Sequence, residues 1–172
     1  MSLAAGLGVI PPGRSPLARG VRYLASTGPG SRLASRLVPP LDAAFLRASH
    51  GRVTASEWVA GLPTVHLTTT GARSGLPRTV ALAAVVIGDD LAVIGSNWGR
   101  SQHPGWVHNL AAHPGALVSR AGRRVPVTAA EATGDMAERI WQEARQLYRG
   151  FRIYPERTGG RQIRVFLLRP TN

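Results

Sequence analysis

Short β-strand patterns joined by tight turns dominate the chain from residue 65 onward, and they restrict the folds that it can adopt. Six segments fit strands by their β-branched content and their bounding turns: Val65–Thr70, Arg78–Ile87, Leu91–Ser96, Leu117–Arg120, Arg124–Ala130 and Ile163–Arg169. Because helices do not alternate regularly with these strands, we expect a mostly antiparallel sheet and not a series of βαβ units.

Helical patterns are fewer. Leu41–Arg47 fits a short helix, and Pro104 opens a second one, Pro104–Ala112. The clearest helix is Asp135–Tyr148, in which Asp135 and Glu138 stand at the spacing of a capping box. The predicted fold is therefore mainly β with a few helices, in the α+β class.

Residues 1–40 are predicted to form a basic, partly helical N-terminal arm ahead of the folded domain at residues 41–172, with a break at Pro39-Pro40 where the arm ends. Two narrow apolar stripes at helical spacing are flanked by arginines in this arm: Leu17, Val21 and Leu24, then Leu33 and Leu37. We expect the arm to pack on its own domain or to stay loosely ordered. Contact with an anionic membrane surface is the alternative.

The charge of the chain is strongly one-sided. All 21 basic residues are arginines, only 9 residues are acidic, and the net charge is +12. Such a surface attracts anions, including phosphates and acidic cofactors. No nucleic-acid-reading motif accompanies the charge, so we expect no nucleic-acid partner.

Several kinds of chemistry are excluded. The chain has no cysteine, so it has neither disulfides nor thiolates. It has no complete dinucleotide fingerprint, and it lacks the lysine of a phosphate-binding P-loop. His103, His108 and His113 are spaced by five, which scatters them around a helix, so we predict no metal site.

The segment Leu67–Arg78 is the most specific stretch of the sequence. A strand of hydroxyl side chains runs into a loop in which two arginines flank a glycine and a proline. Loop amides, hydroxyls and guanidinium groups together fit a phosphate. The candidate residues are Thr69, Thr70, Arg73, Ser74, Gly75, Pro77 and Arg78. The alternative is an ordinary hairpin turn with solvated arginines.

Two further stretches suit a flat polar ring. Ser96 and Asn97 follow a strand, and a proline-initiated helix start comes soon after, with Gly105, Trp106 and Asn109 as its candidate residues. Three aromatic residues at a spacing of three could line a ring pocket, or could fill the barrel end instead: Tyr148, Phe151 and Tyr154.

Taken in order, these stretches resemble the deazaflavin-dependent nitroreductase and quinone reductase family of split β-barrel oxidoreductases. The resemblance runs from about Pro39 to Pro170. Its motifs are TTTG-x-x-[ST]G-x-PR, then S-x-x-G-x-x-x-xP-x-W-x-x-NL, and the aromatic triplet before the last strand. The resemblance implies a split, FMN-binding-like β-barrel at residues 41–172 and coenzyme F-420 as the cofactor.

The resemblance also implies roles for the candidate residues. Arg73, Arg78 and Ser74 would hold the coenzyme phosphate. Ser96, Asn97 and the helix start at Gly105–Asn109 would line the deazaflavin ring. The acceptor pocket would be bordered by Trp98, Tyr148, Phe151 and Tyr154, with the two tyrosines as candidate proton donors.

The chain departs from the family pattern at three positions. Arg73 stands where lysine is common, which keeps the charge, and Ala72 replaces a frequent basic residue. Phe151 stands where many members have tyrosine, and it cannot donate a hydrogen bond to an acceptor. These differences affect the predicted acceptor more than the predicted cofactor.

The resulting functional prediction is an F-420-dependent oxidoreductase that transfers hydride to a quinone, a nitroaromatic or an activated unsaturated compound. The alternatives are an FMN-dependent enzyme of the same fold and a non-catalytic cofactor or lipid carrier at the membrane. We expect a cytoplasmic protein with a small-molecule acceptor, or one attached to the membrane through its arm. The oligomeric state stays open.

Overall fold

The computed structural model describes residues 2–9, 16–49, 54, 56 and 61–171. Six helices lie in this part of the chain: α1 Leu3–Leu7, α2 Pro16–Ser26, α3 Gly28–Ala48, α4 Gly105–Ala112, α5 Gly134–Leu147 and α6 Gly150–Arg157. Seven strands accompany them: β1 Thr64–Thr70, β2 Pro77–Ala83, β3 Val85–Ile87, β4 Asp90–Ile94, β5 Gly115–Arg120, β6 Arg123–Glu131 and β7 Val165–Pro170.

The seven strands form one curled sheet in the order β2-β1-β5-β6-β7-β4-β3. Every adjacent pair is antiparallel. This half-barrel confirms the predicted α+β fold of the split-barrel type. Both faces of the sheet are covered at β4, where Leu91 and Val93 enter one core cluster and Ala92 and Ile94 enter the other.

The first helix belongs to the barrel core, although it lies within the residues predicted to form an arm. Leu3 and Leu7 of α1 are buried in the same cluster as Leu67 and Val93. Arginines of the β5–β6 hairpin donate hydrogen bonds to the backbone carbonyls of Gly6 and Gly8, at the end of this helix. The apolar run at the N-terminus is therefore a structural part of the domain.

Helices α2 and α3 pack against each other, and their leucines face away from the barrel. Successive residues of a helix are rotated by about 100°. Ser31 of α3 is buried, whereas Leu33 and Leu37 lie on the opposite side and Leu41 lies on the flank, with 60%, 49% and 49% of their surfaces exposed. The predicted break at Pro39-Pro40 is wrong, because both prolines lie inside α3. No helix in the described part of the chain is long and apolar enough to span a membrane.

Element boundaries differ from the sequence expectations at several points. The predicted strand Arg78–Ile87 is divided at Ala84, whose N–H bonds to the carbonyl of Pro63. The predicted capping box at Asp135 is absent, since α5 begins at Gly134 and Glu138 instead pairs with Arg145. Pro104 is the N-cap of α4 and not its first residue.

Candidate functional site

The arginine loop, residues 71–76, joins β1 to β2 and is closed by its own backbone. Gly71 donates to the carbonyl of Leu76 at 2.9 Å, and Gly75 donates to the carbonyl of Gly71 at 2.8 Å. Gly75 has φ +66°, which favours glycine. A Cβ at Gly71 would lie 2.6 Å from Ser74 Oγ, so the loop needs glycine there as well. The two glycines let the chain turn tightly, and within the described residues the backbone N–H groups of Arg73 and Ser74 are left for a ligand, since the other four of the loop donate to protein atoms.

Asn109 of α4 holds this loop from the neighbouring element. Its Oδ1 accepts a hydrogen bond from the backbone N–H of Ala72 at 2.9 Å, and its Nδ2 donates to Thr69 Oγ1 at 2.9 Å. Thr69 is buried, so this amide bridge is partly protected from water. Sequence reasoning placed Asn109 beside the deazaflavin ring. In the structure its amide is occupied in fixing the loop, and its contact with the ring stays a prediction.

Arg73 and Arg78 are exposed at this loop, and no ion pair involves either of them in the described residues. Thr70 and Pro77 are the last and first paired residues of β1 and β2. The structure thus brings the predicted phosphate-binding residues of Leu67–Arg78 together at one hairpin end. Uncompensated guanidinium groups beside loop N–H groups form the donor set that a phosphate requires.

The second predicted segment forms a constrained loop after β4. Asn97 and Trp98 both have left-handed backbone, with φ +47° and +58°, which is uncommon for residues other than glycine. Asn97 Nδ2 donates to the carbonyl of Gln102 at 2.9 Å. Backbone conformations of this kind persist only where surrounding contacts hold them, and they concentrate at ligand sites.

Arg161 supplies those contacts and was missed by sequence reasoning. Its guanidinium group donates to the carbonyls of Gly95 at 3.0 Å, Ser96 at 2.9 Å and Arg100 at 2.9 Å. It also approaches His103 Nδ1 at 3.2 Å. These partners lie 58 to 66 residues away in sequence, so no local pattern could have distinguished Arg161 among 21 arginines.

The same arrangement perturbs His103. Burial, followed by the positive charge of Arg161, lowers the pKa of the His103 imidazole below its usual value. An arginine N–H can only donate, so His103 Nδ1 accepts this hydrogen bond in its neutral form. Neutral His103 is therefore part of the organised loop.

At the start of α4, Gly105 is accessible to a ligand, whereas the side chain of Trp106 is not. Gly105 is exposed at the first position of α4, where helix N–H groups lack partners within the helix. Trp106 is buried in the core and packs edge-on against Phe166, with ring centroids 5.9 Å apart. Its side chain is a core element, and only its backbone remains for the predicted contact with the coenzyme.

The three predicted pocket aromatics form a buried cluster. Tyr148, Phe151 and Tyr154 expose 6%, 5% and 2% of their surfaces, and their rings pack at centroid distances of 5.7 to 6.3 Å. The two phenol oxygens lie 3.0 Å apart in a hydrogen bond. Burial raises the pKa of both tyrosines, so both phenols keep their protons. The helix α6 that holds two of these residues was not predicted.

An open cleft of about 640 Å³ adjoins this cluster. Trp98, which packs on the aromatic cluster, is one of its lining residues. Tyr148, Phe151 and Tyr154 are not among the described residues that line it. Of the four residues predicted for an acceptor pocket, the structure thus gives only Trp98 access to this cleft, and the acceptor roles of the other three stay predictions.

Comparison with known proteins identifies the family. The F-420H(2)-dependent quinone reductase family model matches residues 41–170. The chain belongs to this family. Its name gives the reduced form of coenzyme F-420, so the match confirms the resemblance and the coenzyme that the motifs predicted. The family name is that of an oxidoreductase, which agrees with the predicted enzyme class.

Individual relatives agree with the family match. An F-420H(2)-dependent quinone reductase of Mycobacterium tuberculosis is 36% identical over 90 residues, which cover 52% of this chain and 59% of the relative. A putative F-420H(2)-dependent quinone reductase of Mycobacterium bovis matches equally well. This chain therefore spans about three fifths of the length of the curated relatives that it matches.

Two solved structures are also similar. A reductase described as F-420-H2 dependent has a TM-score of 0.57 and 35% identity, covering 62% of this chain and 94% of its own. A protein described as a domain-swapped dimer has a TM-score of 0.60 and 32% identity, covering 74% of this chain and 95% of its own.

Proposed function

We propose that this protein binds reduced coenzyme F-420 and uses it to reduce a small organic acceptor, of which a quinone is the first candidate. The observation that carries the proposal is the arginine loop with its amide bridge to Asn109. Family membership supports the same coenzyme. The proposal also includes nitroaromatic and activated unsaturated compounds as acceptors.

The residues of the site fit the chemistry of the coenzyme. Its phosphate would be held by Arg73, Arg78 and the loop N–H groups, with Ser74 beside them. The loop at Ser96 and Asn97, in which Asn97 has left-handed backbone, would offer polar groups to the edge of a flat ring. Reduced F-420, when bound, supplies the hydride.

The redox balance of the proposed reaction is simple. A quinone takes up a hydride and one proton, and it becomes a hydroquinone while the coenzyme is oxidised. The proton comes from solvent or from one of the two tyrosines, Tyr148 and Tyr154, which burial keeps protonated. Because both phenols are buried, a role as donor requires that the acceptor reach them past Trp98.

Binding of the coenzyme is tested by fluorescence titration of the purified protein with oxidised F-420. We expect saturable binding, and we expect an Arg73→Ala/Arg78→Ala variant to bind at least about a hundredfold more weakly, since two charge-assisted contacts are lost. The matched control is Arg124→Ala/Arg139→Ala, which removes the same charge from exposed positions on β6 and α5. Binding of FMN in place of F-420 would contradict the proposal.

We also propose that helices α2 and α3 make peripheral contact with an anionic membrane. Their outward face exposes apolar side chains next to arginines: Leu17, Leu24, Leu33, Leu37, Leu41 and Phe45. Exposed leucines can enter the acyl boundary while arginines meet lipid phosphates.

Co-sedimentation with anionic and with neutral vesicles tests this contact. We expect binding to anionic vesicles that weakens with salt and is lost in Leu33→Gln/Leu37→Gln/Leu41→Gln. Val86→Gln, an exposed apolar residue on β3, is the control. Failure to bind anionic vesicles would contradict the membrane proposal. Dimers that the triple variant dissociates would also contradict it, and they would assign this face to a protein partner.

A further inference from the structure

The cleft beside Trp98 is lined by arginines from three separate elements. Arg32 comes from α3, Arg100 from the loop after β4, and Arg157 from the end of α6. No Asp or Glu is among the described residues that line it. Convergence of three cations without an acid gives the cleft a strongly positive character.

Among the described residues, serine hydroxyls are the side-chain partners of Arg100 and Arg157. Arg100 donates to Ser35 Oγ at 2.7 Å, and Arg157 donates to Ser31 Oγ at 3.3 Å. Both serines lie on the barrel-facing side of α3. A serine hydroxyl orients a guanidinium group without neutralising it, so the arginines are positioned while their charges stay uncompensated.

The ion pairs found in the described part of the chain lie elsewhere. They join Arg145 to Glu138, Arg164 to Glu131 and Arg169 to Asp90. A second depression, lined by Glu131 and Glu138 among others, contains two of these arginines with their acids. None of these ion pairs involves the three arginines that meet where α3, the loop after β4 and α6 come together.

A cleft with low-dielectric walls focuses the field of such charges, so an anion entering it relieves their mutual repulsion. Trp98 presents an aromatic ring in the same cleft. An aromatic wall next to guanidinium groups suits a flat ring that carries an acidic substituent.

We propose that the cleft selects acceptors that carry an anionic group, namely a carboxylate, sulfonate or phosphate on or near the reducible ring. This inference rests on the proposed function and narrows its substrate class. The redox step is unchanged: the ring takes up a hydride and a proton, and the anionic group is not altered. The anion could also belong to an acidic part of the coenzyme, and the experiment separates the two sources.

The test compares a naphthoquinone with its ring-sulfonated analogue in wild type and in Arg32→Ala/Arg157→Ala. The measured quantity is the kcat/KM of the sulfonated quinone divided by the kcat/KM of the neutral quinone. When this ratio is compared between wild type and variant, the intrinsic difference in reactivity between the two quinones cancels. We expect this ratio to be about tenfold lower in the variant than in wild type, because two partly exposed positive charges are lost. Arg157→Lys should retain most of the preference because the charge remains.

Two equilibrium measurements accompany the kinetics. The Kd of the sulfonated quinone for enzyme loaded with oxidised F-420, measured by calorimetry, should rise by a similar factor and should depend on salt. The Kd of F-420 itself should change by the same small factor in Arg32→Ala/Arg157→Ala and in the charge-matched control Arg124→Ala/Arg139→Ala. Thermal melting of each variant establishes that it is folded.

The outcomes distinguish this inference from the proposed function. An unchanged ratio in an enzyme that reduces the neutral quinone overturns the inference alone. Selective weakening of F-420 binding in the cleft variant, with an unchanged ratio, assigns the cleft to the coenzyme and also overturns it. A wild-type protein that neither binds F-420 nor reduces either quinone overturns the proposed function together with the inference.

Discussion

The side-chain Oδ1 of Asn109 accepts a 2.9 Å hydrogen bond from the backbone N–H of Ala72, joining α4 to the arginine loop. The same amide donates to the buried Thr69 hydroxyl at 2.9 Å. Asn109 thus spans the base of the loop that presents Arg73 and Arg78. The loop that carries Arg73 is therefore held by a residue 37 positions away from Ala72 in sequence.

Replacing Asn109 with alanine should loosen the arginine loop. Two hydrogen bonds are lost and a buried hydroxyl loses a donor, so the free energy of unfolding should fall by about 1–3 kcal/mol. Binding of F-420 should weaken by about tenfold or more, because the loop must then be ordered on binding. Urea denaturation and fluorescence titration measure the two effects. Gln146→Ala, an exposed amide on α5, is the control, and equal behaviour of both variants would refute the role of Asn109.

Gly71→Ala should destabilise the protein through a steric clash. The new Cβ would lie 2.6 Å from Ser74 Oγ and 3.1 Å from the carbonyl of Leu76. Overpacking of this kind costs about 1–3 kcal/mol, which denaturant unfolding can resolve. Removing the hydroxyl in Gly71→Ala/Ser74→Ala should recover part of the loss. Gly115→Ala, with no heavy atom within 4 Å of its new Cβ, should cost nothing measurable, and a similar loss there would contradict the clash.

Because Tyr148 and Tyr154 share a hydrogen bond, the losses in unfolding free energy caused by substituting each of them should not add. Each single change to phenylalanine leaves the other buried hydroxyl without its 3.0 Å partner and should cost about 1–2 kcal/mol in the free energy of unfolding. The double variant removes both hydroxyls and should lose less than the two single variants together. Additive losses would show that the phenols do not interact. Wild-type turnover in all three variants would exclude both tyrosines as proton donors.

The same pair should make stability sensitive to alkaline pH. Burial raises the pKa of both phenols above about 10, their value in an unfolded chain. The folded state therefore keeps protons that the unfolded state loses, so stability is full below about pH 10 and falls as the pH rises above it. Melting curves between about pH 8 and about pH 11 should show a steeper loss for wild type than for Tyr148→Phe/Tyr154→Phe. If melting temperature falls with pH equally in wild type and in the double variant, the two tyrosines are not the cause of the alkaline loss.

His103 should contribute the opposite dependence at acid pH. Its pKa in the folded protein lies below the unfolded value of about 6.5, because burial and Arg161 disfavour the charged ring. The unfolded chain takes up the proton first, so stability is full above about pH 6.5 and decreases below it.

His103→Gln keeps a hydrogen-bond acceptor for Arg161 but cannot titrate. The difference in melting temperature between about pH 8 and about pH 5 should therefore be smaller in this variant than in wild type. His113→Gln, at the exposed end of α4, controls for loss of an imidazole elsewhere. If both variants retain the wild-type difference, His103 does not carry the effect.

Much of the sheet and the arginine loop follows from local sequence. Strand composition and the bounding turns located β1, β4 and their neighbours within a few residues, because pleat periodicity and turn chemistry are short-range properties. The Pro39-Pro40 break failed because a local rule for proline does not see that the rest of α3 is a continuous helix packed on α2. Helix α6 was missed for a similar reason, since Pro155 lies inside it.

The sequence by itself determined the sheet class, the family motifs and the prediction of a phosphate-binding loop, since strand periodicity is local and each motif lies within 15 consecutive residues or fewer. Tertiary structure alone decided that Asn109 supports the arginine loop, that Arg161 orders the loop after β4, and that Trp106 enters the core. It also decided which three of 21 arginines meet beside Trp98. These relations join residues far apart in the chain, and their energies come from packing and burial that no local pattern encodes.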